Sequence, residues 1–433
     1  MSRGFASVLR LRNFGLLVAS SSMSQLGDRL THMLLITVIA LSQPGKLMAY
    51  SAGSMAFVIP TMLLAPIAGV LVDRWDKRKV LGFMHVAQSG LWVTTAFLII
   101  ALRSFTPFWV ALFVFFGLDV FNNTTVPSLM PLLVARRKLL VANSANLTFS
   151  RVATVFGMVA GGFLVKWAGW KYGLFINAST HLTAGLLALG ITGVFAARRP
   201  APFVSESEAQ LGTASEGAVP IFGLAARAFR QLFRDLAEVL HVVGRDRLVA
   251  FVMASLVVTM FISSVSYTVL IYLVQQVLKL GTGGVGVFAG VLAVGMIAGA
   301  ASLGMVRRRI NQPLVVVGVI LLYGLLFLAS PWLITVWFLS LVALVAGVAF
   351  SWLGVVQSTM LQEEVPDNIR GRIFSTREFI TNAAFLLTTL FIGALGDLTS
   401  YRTVLVAIGA TLTALAVGGY FFIQGLRPGN PKP

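Results

Sequence analysis

Long apolar runs separated by short charged turns set the rhythm of this chain. A helix that crosses a bilayer needs about 20 apolar residues. On that ruler the pattern predicts about twelve spans, over residues 14–42, 49–72, 80–102, 107–134, 143–167, 172–196, 248–278, 284–306, 313–330, 333–361, 376–396 and 403–425. The first run is too long for the apolar core of a signal peptide and lacks a small-residue cleavage pattern, so it reads as the first span. Trp109, Trp167, Trp170 and Trp332 stand beside alternate turns, where an interfacial aromatic belt places indoles.

The pattern breaks once. Residues 197–220 are rich in Pro, Ala, Ser, Glu and Gly and read as a flexible linker. Residues 221–243 then place Phe222, Phe229, Leu236 and Leu240 on one helical face and Arg227, Arg230, Arg234 and Glu238 on the other, as a helix lying on a membrane surface would. The expected organisation is a six-helix bundle over 1–196, a linker with an amphipathic helix over 197–246, and a second six-helix bundle over 247–433.

Composition agrees with the class. Of 433 residues, 57% are hydrophobic and 11% charged, with a mean hydropathy of +0.88, far more apolar surface than a soluble core needs. The formal charge of +18 does not point to nucleic acid, because the cations cluster between apolar runs: Arg74 to Lys79, Arg136 to Lys138, Arg198-Arg199, Arg307 to Arg309, and Arg370 with Arg372. The intervening turns hold only scattered cations such as Lys46, Arg103 and Lys279. That alternation follows the positive-inside rule and predicts both termini on the cytoplasmic side. With no cysteine, disulfides, thiolate metal sites and cysteine nucleophiles are excluded. No Ser-His-Asp grouping or phosphate loop sits at a plausible depth, so neither an enzyme nor a cofactor site is expected.

One turn carries more than topology. Gly69-Val-Leu-Val-Asp73-Arg74-Trp-Asp76-Lys77-Arg78-Lys79 joins spans 2 and 3, and its Gly-x-x-x-Asp-Arg spacing with a basic cluster resembles the corresponding loop of the major facilitator superfamily. The resemblance implies that Gly69 lets helices approach, that Asp73 caps a neighbouring helix start, and that Arg74, Lys77 and Arg78 bridge helices in a cytoplasmic gate. The bland alternative is a topogenic basic turn. Val134 to Ser144 and Val365 to Ser375 match at the same offset that carries Lys77-Arg78 onto Arg308-Arg309, which argues for two pseudo-symmetric six-helix halves. Ser24-Gln-Leu-Gly-Asp28 and Leu361-Gln-Glu-Glu-Val-Pro-Asp-Asn-Ile-Arg-Gly-Arg372 are similar to the branch containing macrolide efflux pumps and the enterobactin exporter. Gly157-Met-Val-Ala-Gly161-Gly162 keeps the glycine spacing of that family's antiporter motif but has Met158 where proline is usual.

The candidate chemistry lies in the apolar spans. Gln25, Asp28, Arg29 and His32 fall on one stripe of span 1, and Asp119, Asn122 and Asn123 on one stripe of span 4. Both acids lie near mid-span, where ionisable residues are expensive and mark function by default. Either acid could carry a proton against the substrate; alternatively Arg29 neutralises one of them as a structural ion pair. The resemblance implies that spans 1, 4, 7 and 10 line the transport cavity, adding Tyr267, Trp352 and Gln357. A charged wall facing an aromatic and hydroxylated one suits a small amphipathic organic substrate. The expectation is thus a monomeric, proton-coupled exporter of a bacterial inner membrane, without resident metal. Two rivals are a divalent metal exporter of the ferroportin type, from Asp28 and His32 at i and i+4, and a lysophospholipid transporter.

Overall fold

A computed structural model describes residues 7–193, 243–305, 311–364 and 367–425, with a few positions between 230 and 241. The expected linker and most of the amphipathic helix therefore lie outside the described residues, as do Arg198-Arg199 and Arg307 to Arg309. The described chain is all α-helical. In order come α1 (Arg12–Ser42), α2 (Leu47–Arg74), α3 (Lys77–Leu102), α4 (Thr106–Leu133), a 3-10 turn at Arg136–Lys138, and α5 (Leu139–Leu189). They are followed by α6 (Arg247–Val265), α7 (Gly281–Met305), α8 (Gln312–Ala329), α9 (Val336–Glu364), α10 (Asp367–Leu398) and α11 (Tyr401–Gln424).

Among the described residues, ten helices are long and apolar enough to cross a membrane. The helical form follows from lipid itself, which leaves backbone N–H and C=O groups no partner but each other. The ten do not include α1, whose 31 residues carry a polar stripe. They count α5 once, although its 51 residues are long enough for two passages and break at Gly169, where φ is 76°. Only glycine adopts that value without strain. These features are consistent with the twelve expected spans.

One span boundary differs from expectation. The sixth span was expected to reach residue 196, but the helix stops at Leu189, followed by Gly190 and then Gly193 with φ 124°. The eleventh span opens at residue 376 as expected, although α10 itself begins earlier, at Asp367, with turns that are helical but too polar for lipid. Past Val265, α6 widens into two π-helical turns, Ser266–Leu270 and Leu273–Val277, which no hydropathy pattern announces.

Packing divides the chain into two compact units. One comprises Met1–His32, Ala56–Gly157 and Ala168–Phe233; the other comprises Met33–Met55, Met158–Trp167 and Arg234–Pro433. In the first, Trp92 of α3 is buried against Phe108 and Phe115 of α4, with ring centroids 5.7 and 5.2 Å away. The start of α1 joins it through Phe14 and Val18, packed with Met130 of α4 and Ala142 of α5. In the second, helices meet through glycines: a Cβ on Gly299 of α7 would lie 2.6 Å from the Val348 carbonyl of α9, and one on Gly409 of α11 would lie 2.7 Å from the Leu328 amide of α8. With lipid as apolar as leucine, close backbone approach supplies the packing that the hydrophobic effect does not. There also, Asp397 near the end of α10 accepts from the first amides of α2, Leu47 at 2.7 Å and Met48 at 3.4 Å.

The basic turn between α2 and α3 is built from its own charges. Asp76 caps α3 by accepting from the amides of Arg78 (3.0 Å) and Lys79 (3.2 Å). Buried Lys77 donates to the Val72 carbonyl at 3.2 Å, which folds the turn on itself. Arg78 Nη1 reaches the Ile191 carbonyl at 2.9 Å, just past the end of α5, where carbonyls lack helical partners. Asn13 and Thr192 close the same corner, Asn13 Nδ2 donating to the Thr192 carbonyl at 2.9 Å and its Oδ1 accepting from the Thr192 amide at 3.1 Å. Arg74 is exposed. The expected cap by Asp73 falls on a side chain outside the described set. No described atom lies within 4 Å of where a Cβ on Gly69 would be.

Candidate functional site

The polar stripe of α1 faces a buried polar cluster inside the first unit. Asp28 is 4% exposed. Its Oδ2 accepts from Gln25 Nε2 at 3.2 Å, and the Ser24 hydroxyl, one turn earlier on α1, is a second hydrogen-bonding neighbour of the carboxyl. Gln25 in turn accepts from Thr154 of α5 at 3.1 Å, so the acid is positioned through the neighbouring helix. Arg29 leaves its buried Nε without a partner, and its charge acts on both Asp28 and Asp119, which repel each other. Asp119 accepts from Asn123 at 2.8 Å, one helical turn on. The two acids and Arg29 thus form one electrostatic group on α1 and α4.

His32 belongs to the same stripe but turns elsewhere. Its Nδ1 meets the Asp28 main-chain carbonyl at 2.8 Å, and its ring packs on Phe57 and Phe116, with centroids 5.5 and 5.4 Å away. Among the described residues no cluster of three or more His, Cys, Asp or Glu side chains converges as a metal ligand set would.

Asn122 also neighbours Asp119 as a hydrogen-bonding group, and it links that acid to a second cluster that the sequence reading did not single out. Its Nδ2 lies 3.1 Å from Gln88 Oε1 and 3.2 Å from His85 Nδ1, both on α3, and His85 Nδ1 is also 3.0 Å from Gln88 Oε1. His181, from the far segment of α5, stacks 5.9 Å from His85 and meets Phe115 edge-on at 5.1 Å. Gly27 admits it: a Cβ there would lie 2.5 Å from His181 Nε2. Asn177 fastens the same segment to α1, its side-chain amide 2.8 Å from Thr31 Oγ1; with the amide turned so that both of its atoms are satisfied, Nδ2 donates to the Gly27 carbonyl at 2.9 Å and Oδ1 accepts from Trp92 Nε1 at 3.1 Å. The available signal was two histidines in the middle of apolar runs, a placement as costly as that of the acids.

Between these clusters lies a cavity of about 180 Å³. Ser21, Ser24 and Gln25 line it from α1, His85 from α3, Asn122, Asn123, Val126 and Pro127 from α4, and Asn146 and Ser150 from α5. The glycine motif of α5 sets one wall's position, since a Cβ on Gly157 would lie 3.1 Å from Arg29 Cβ and 3.2 Å from Leu26 Cα. In the second unit, Gly162 packs as closely on α7, 2.6 Å from the Thr282 carbonyl.

The three candidates of the second unit are held by helix-to-helix contacts. Gln357 of α9 is buried and donates to Ser255 (3.0 Å) and Thr259 (2.9 Å) of α6. Trp352 Nε1 donates to the Gly299 carbonyl (3.1 Å) and Ser302 Oγ (3.0 Å) of α7. Tyr267 lies in the first π turn, its ring 6.1 Å from Phe385 of α10.

Helices of this length and number with ionisable groups at mid-span define a multi-pass membrane transporter. The chain belongs to the Major Facilitator Superfamily, whose model matches residues 17–384. A relative in Bacillus subtilis (strain 168), described as an uncharacterized MFS-type transporter, YfiS, is 29% identical over 73 residues; the match spans 17% of this chain and 18% of that relative's length. The fold is similar to a peptide transporter POT crystallised with sulfate (TM-score 0.72, 12% identity, 96% of this chain and 94% of that one). It is also similar to the nucleoside transporter NupG (TM-score 0.66, 13% identity, 94% and 99%). At such identities the likeness concerns the fold alone.

Proposed function

We propose that this protein is a proton-coupled exporter of a small amphipathic compound, of the kind moved by macrolide or siderophore pumps, working by alternating access in a bacterial inner membrane with both termini cytoplasmic. The observation that carries this reading is Asp28: a mid-span carboxyl, buried, whose one neighbouring cation is shared with a second acid. A purely structural ion pair would match one acid with one cation, because a buried charge without its own counter-ion is costly. Arg29 balances one acid at a time. A proton arriving at Asp28 releases Arg29 toward Asp119, and a proton leaving draws it back, so protonation changes the forces between α1 and α4. Asp28 is the carrier in this scheme and Asp119 the standing counter-ion, since Asn123 already holds it.

Reconstituted vesicles with an imposed pH gradient test the scheme. With a transported compound drawn from a macrolide and siderophore panel, Asp28→Asn should abolish gradient-driven accumulation while retaining binding. Asp119→Asn should lower the unfolding temperature by stranding Arg29. Full gradient-driven transport by Asp28→Asn would reject the carrier role, and equal loss of binding and transport would make Asp28 a substrate ligand.

A further inference from the structure

Proton coupling needs an exit as well as a carrier, and the cavity inside the first unit leads to one. Depth can be counted from the helix ends that carry the basic clusters: Arg12 for α1, Lys77 for α3 and Leu133 for α4. At 1.5 Å per residue Asp28 lies about 24 Å deep, Asp119 about 21 Å, Asn122 about 16 Å and His85 about 12 Å. Ser24 and Gln25, beside Asp28, and Asn122 and Asn123, beside Asp119, line the cavity, and His85 lines it nearer the basic end. A space of about 180 Å³ bounded by hydroxyls and amides suits several waters, each needing about two to four polar partners. The acids and the histidine therefore share one wet, polar passage.

His85 is set to hold a proton at Nδ1 or to lack one. That nitrogen has an acceptor and a donor within reach at once, Gln88 Oε1 at 3.0 Å and Asn122 Nδ2 at 3.2 Å. Gln88 is oriented by its own Nε2, which donates to the Phe115 carbonyl at 3.4 Å. With a hydrogen, Nδ1 donates to Gln88; without one, it accepts from Asn122. Gln88 is served in either state, because Asn122 Nδ2 also reaches it at 3.1 Å, and the amide hydrogen that His85 gives up has Asp119 as a neighbouring acceptor. A histidine with a purely structural task is fixed in one tautomer by the hydrogen bond it makes. This one keeps a partner before and after a proton transfer without turning its ring. The titratable and charged groups around it are His181 of α5, ring to ring at 5.9 Å, Asp119 of α4 through Asn122, and Asp28 with Arg29 of α1 beyond that acid. We infer that His85 is the relay by which the proton leaves the acid pair. The Asp28 O–H bond breaks, cavity water carries the proton, and the lone pair of one imidazole nitrogen forms the new N–H bond. The other nitrogen then gives up its proton toward the cytoplasmic side. The ring ends neutral in the opposite tautomer, which the same two partners hold. The assignment rests on the proton reading above and adds to it the residue that sets the rate of release.

Time-resolved infrared spectroscopy of the full chain in lipid nanodiscs tests the relay without substrate or gradient. It follows the protonated-carboxyl band of Asp28, identified by its loss in Asp28→Asn, after a rapid upward pH jump. The band should decay about tenfold or more slowly in His85→Leu and in His85→Gln, whose amide hydrogen-bonds but carries no proton, while its equilibrium pH dependence stays as in the wild type. His85→Gln keeps partners for Asn122 and Gln88, so it reads the relay even where His85→Leu fails to fold. Nitrogen-15 spectra of the histidine-labelled wild type should show both His85 tautomers in exchange. An unchanged decay rate in folded His85→Gln would overturn the relay and leave Asp28 as carrier. So would a single fixed His85 tautomer, or a shifted equilibrium with no change of rate, the mark of a structural role. An Asp28 carboxyl that never titrates would remove the carrier and the relay together.

Discussion

Arg78 offers the sharpest test of how the basic turn works. Its Nη1 donates to the Ile191 carbonyl at 2.9 Å, tying the start of α3 to the end of α5, and Ile191 is fully buried. A hydrogen bond from a charged donor contributes about 1.5–3 kcal/mol net, and a cation at a helix C-terminus adds about 0.3–1 kcal/mol. Arg78 is half-buried, so water substitutes for part of the lost interaction, leaving about 1–2 kcal/mol for Arg78→Met. For a unit of 150–250 residues each kcal/mol moves the midpoint by about 2–4 °C, which predicts a fall of about 2–8 °C. Arg74→Met, in the same turn but exposed, removes equal charge and should change the midpoint little. Arg78→Lys keeps the charge without the planar fork and should fall between them. Thermal unfolding of the detergent-solubilised protein, followed by intrinsic tryptophan fluorescence, reads all three. Equal midpoints for Arg78→Met and Arg74→Met would refute the bridge, and the loop would then act through charge alone.

Two further predictions separate close packing from open space and local capping from global stability. Gly162→Val should destabilise by about 1–3 kcal/mol, because its Cβ would lie 2.6 Å from the Thr282 carbonyl, whereas Gly69→Ala, with no described atom within 4 Å, should be neutral or slightly stabilising in an unfolding assay. A Gly69→Ala protein of unchanged stability but slowed transport would show that helices close on this glycine in another state of the cycle; clear destabilisation would contradict the open surroundings. Asp397→Ala removes the acceptor of the Leu47 and Met48 amides, a cap contributing about 1 kcal/mol, so hydrogen exchange over the first turn of α2 should quicken several-fold while the middle of α2 is unchanged. Unaltered exchange at those amides would mean that water replaces the carboxylate without loss.

Much of this architecture was legible along the chain because lipid makes the decisive forces local. A helix in a bilayer must satisfy its own backbone and present apolar side chains over a set length, so span positions and the membrane class follow from hydropathy. The loop Gly69 to Lys79 and the stripes of Asp28 and Asp119 were readable for the same reason, since charge in or beside lipid is too costly to be incidental. Helix rotation and partner choice are another matter. Asn122 and Asn123 differ by one position and about 100° of turn, and both neighbour Asp119, yet only Asn122 also binds Gln88 and meets His85 on another helix. That choice depends on how α4 is turned against α3, which is set by packing around Trp92, Phe108 and Phe115. Likewise, Asp76, Lys77 and Arg78 sit together in the sequence, but only the folded chain makes one a helix cap, one a turn clasp and one a bridge to α5. The cavity itself exists only where α1, α3, α4 and α5 converge. Hydropathy is a property of each residue with its solvent, whereas a site is a property of side chains from distant helices meeting at fixed angles, and only tertiary packing sets those angles.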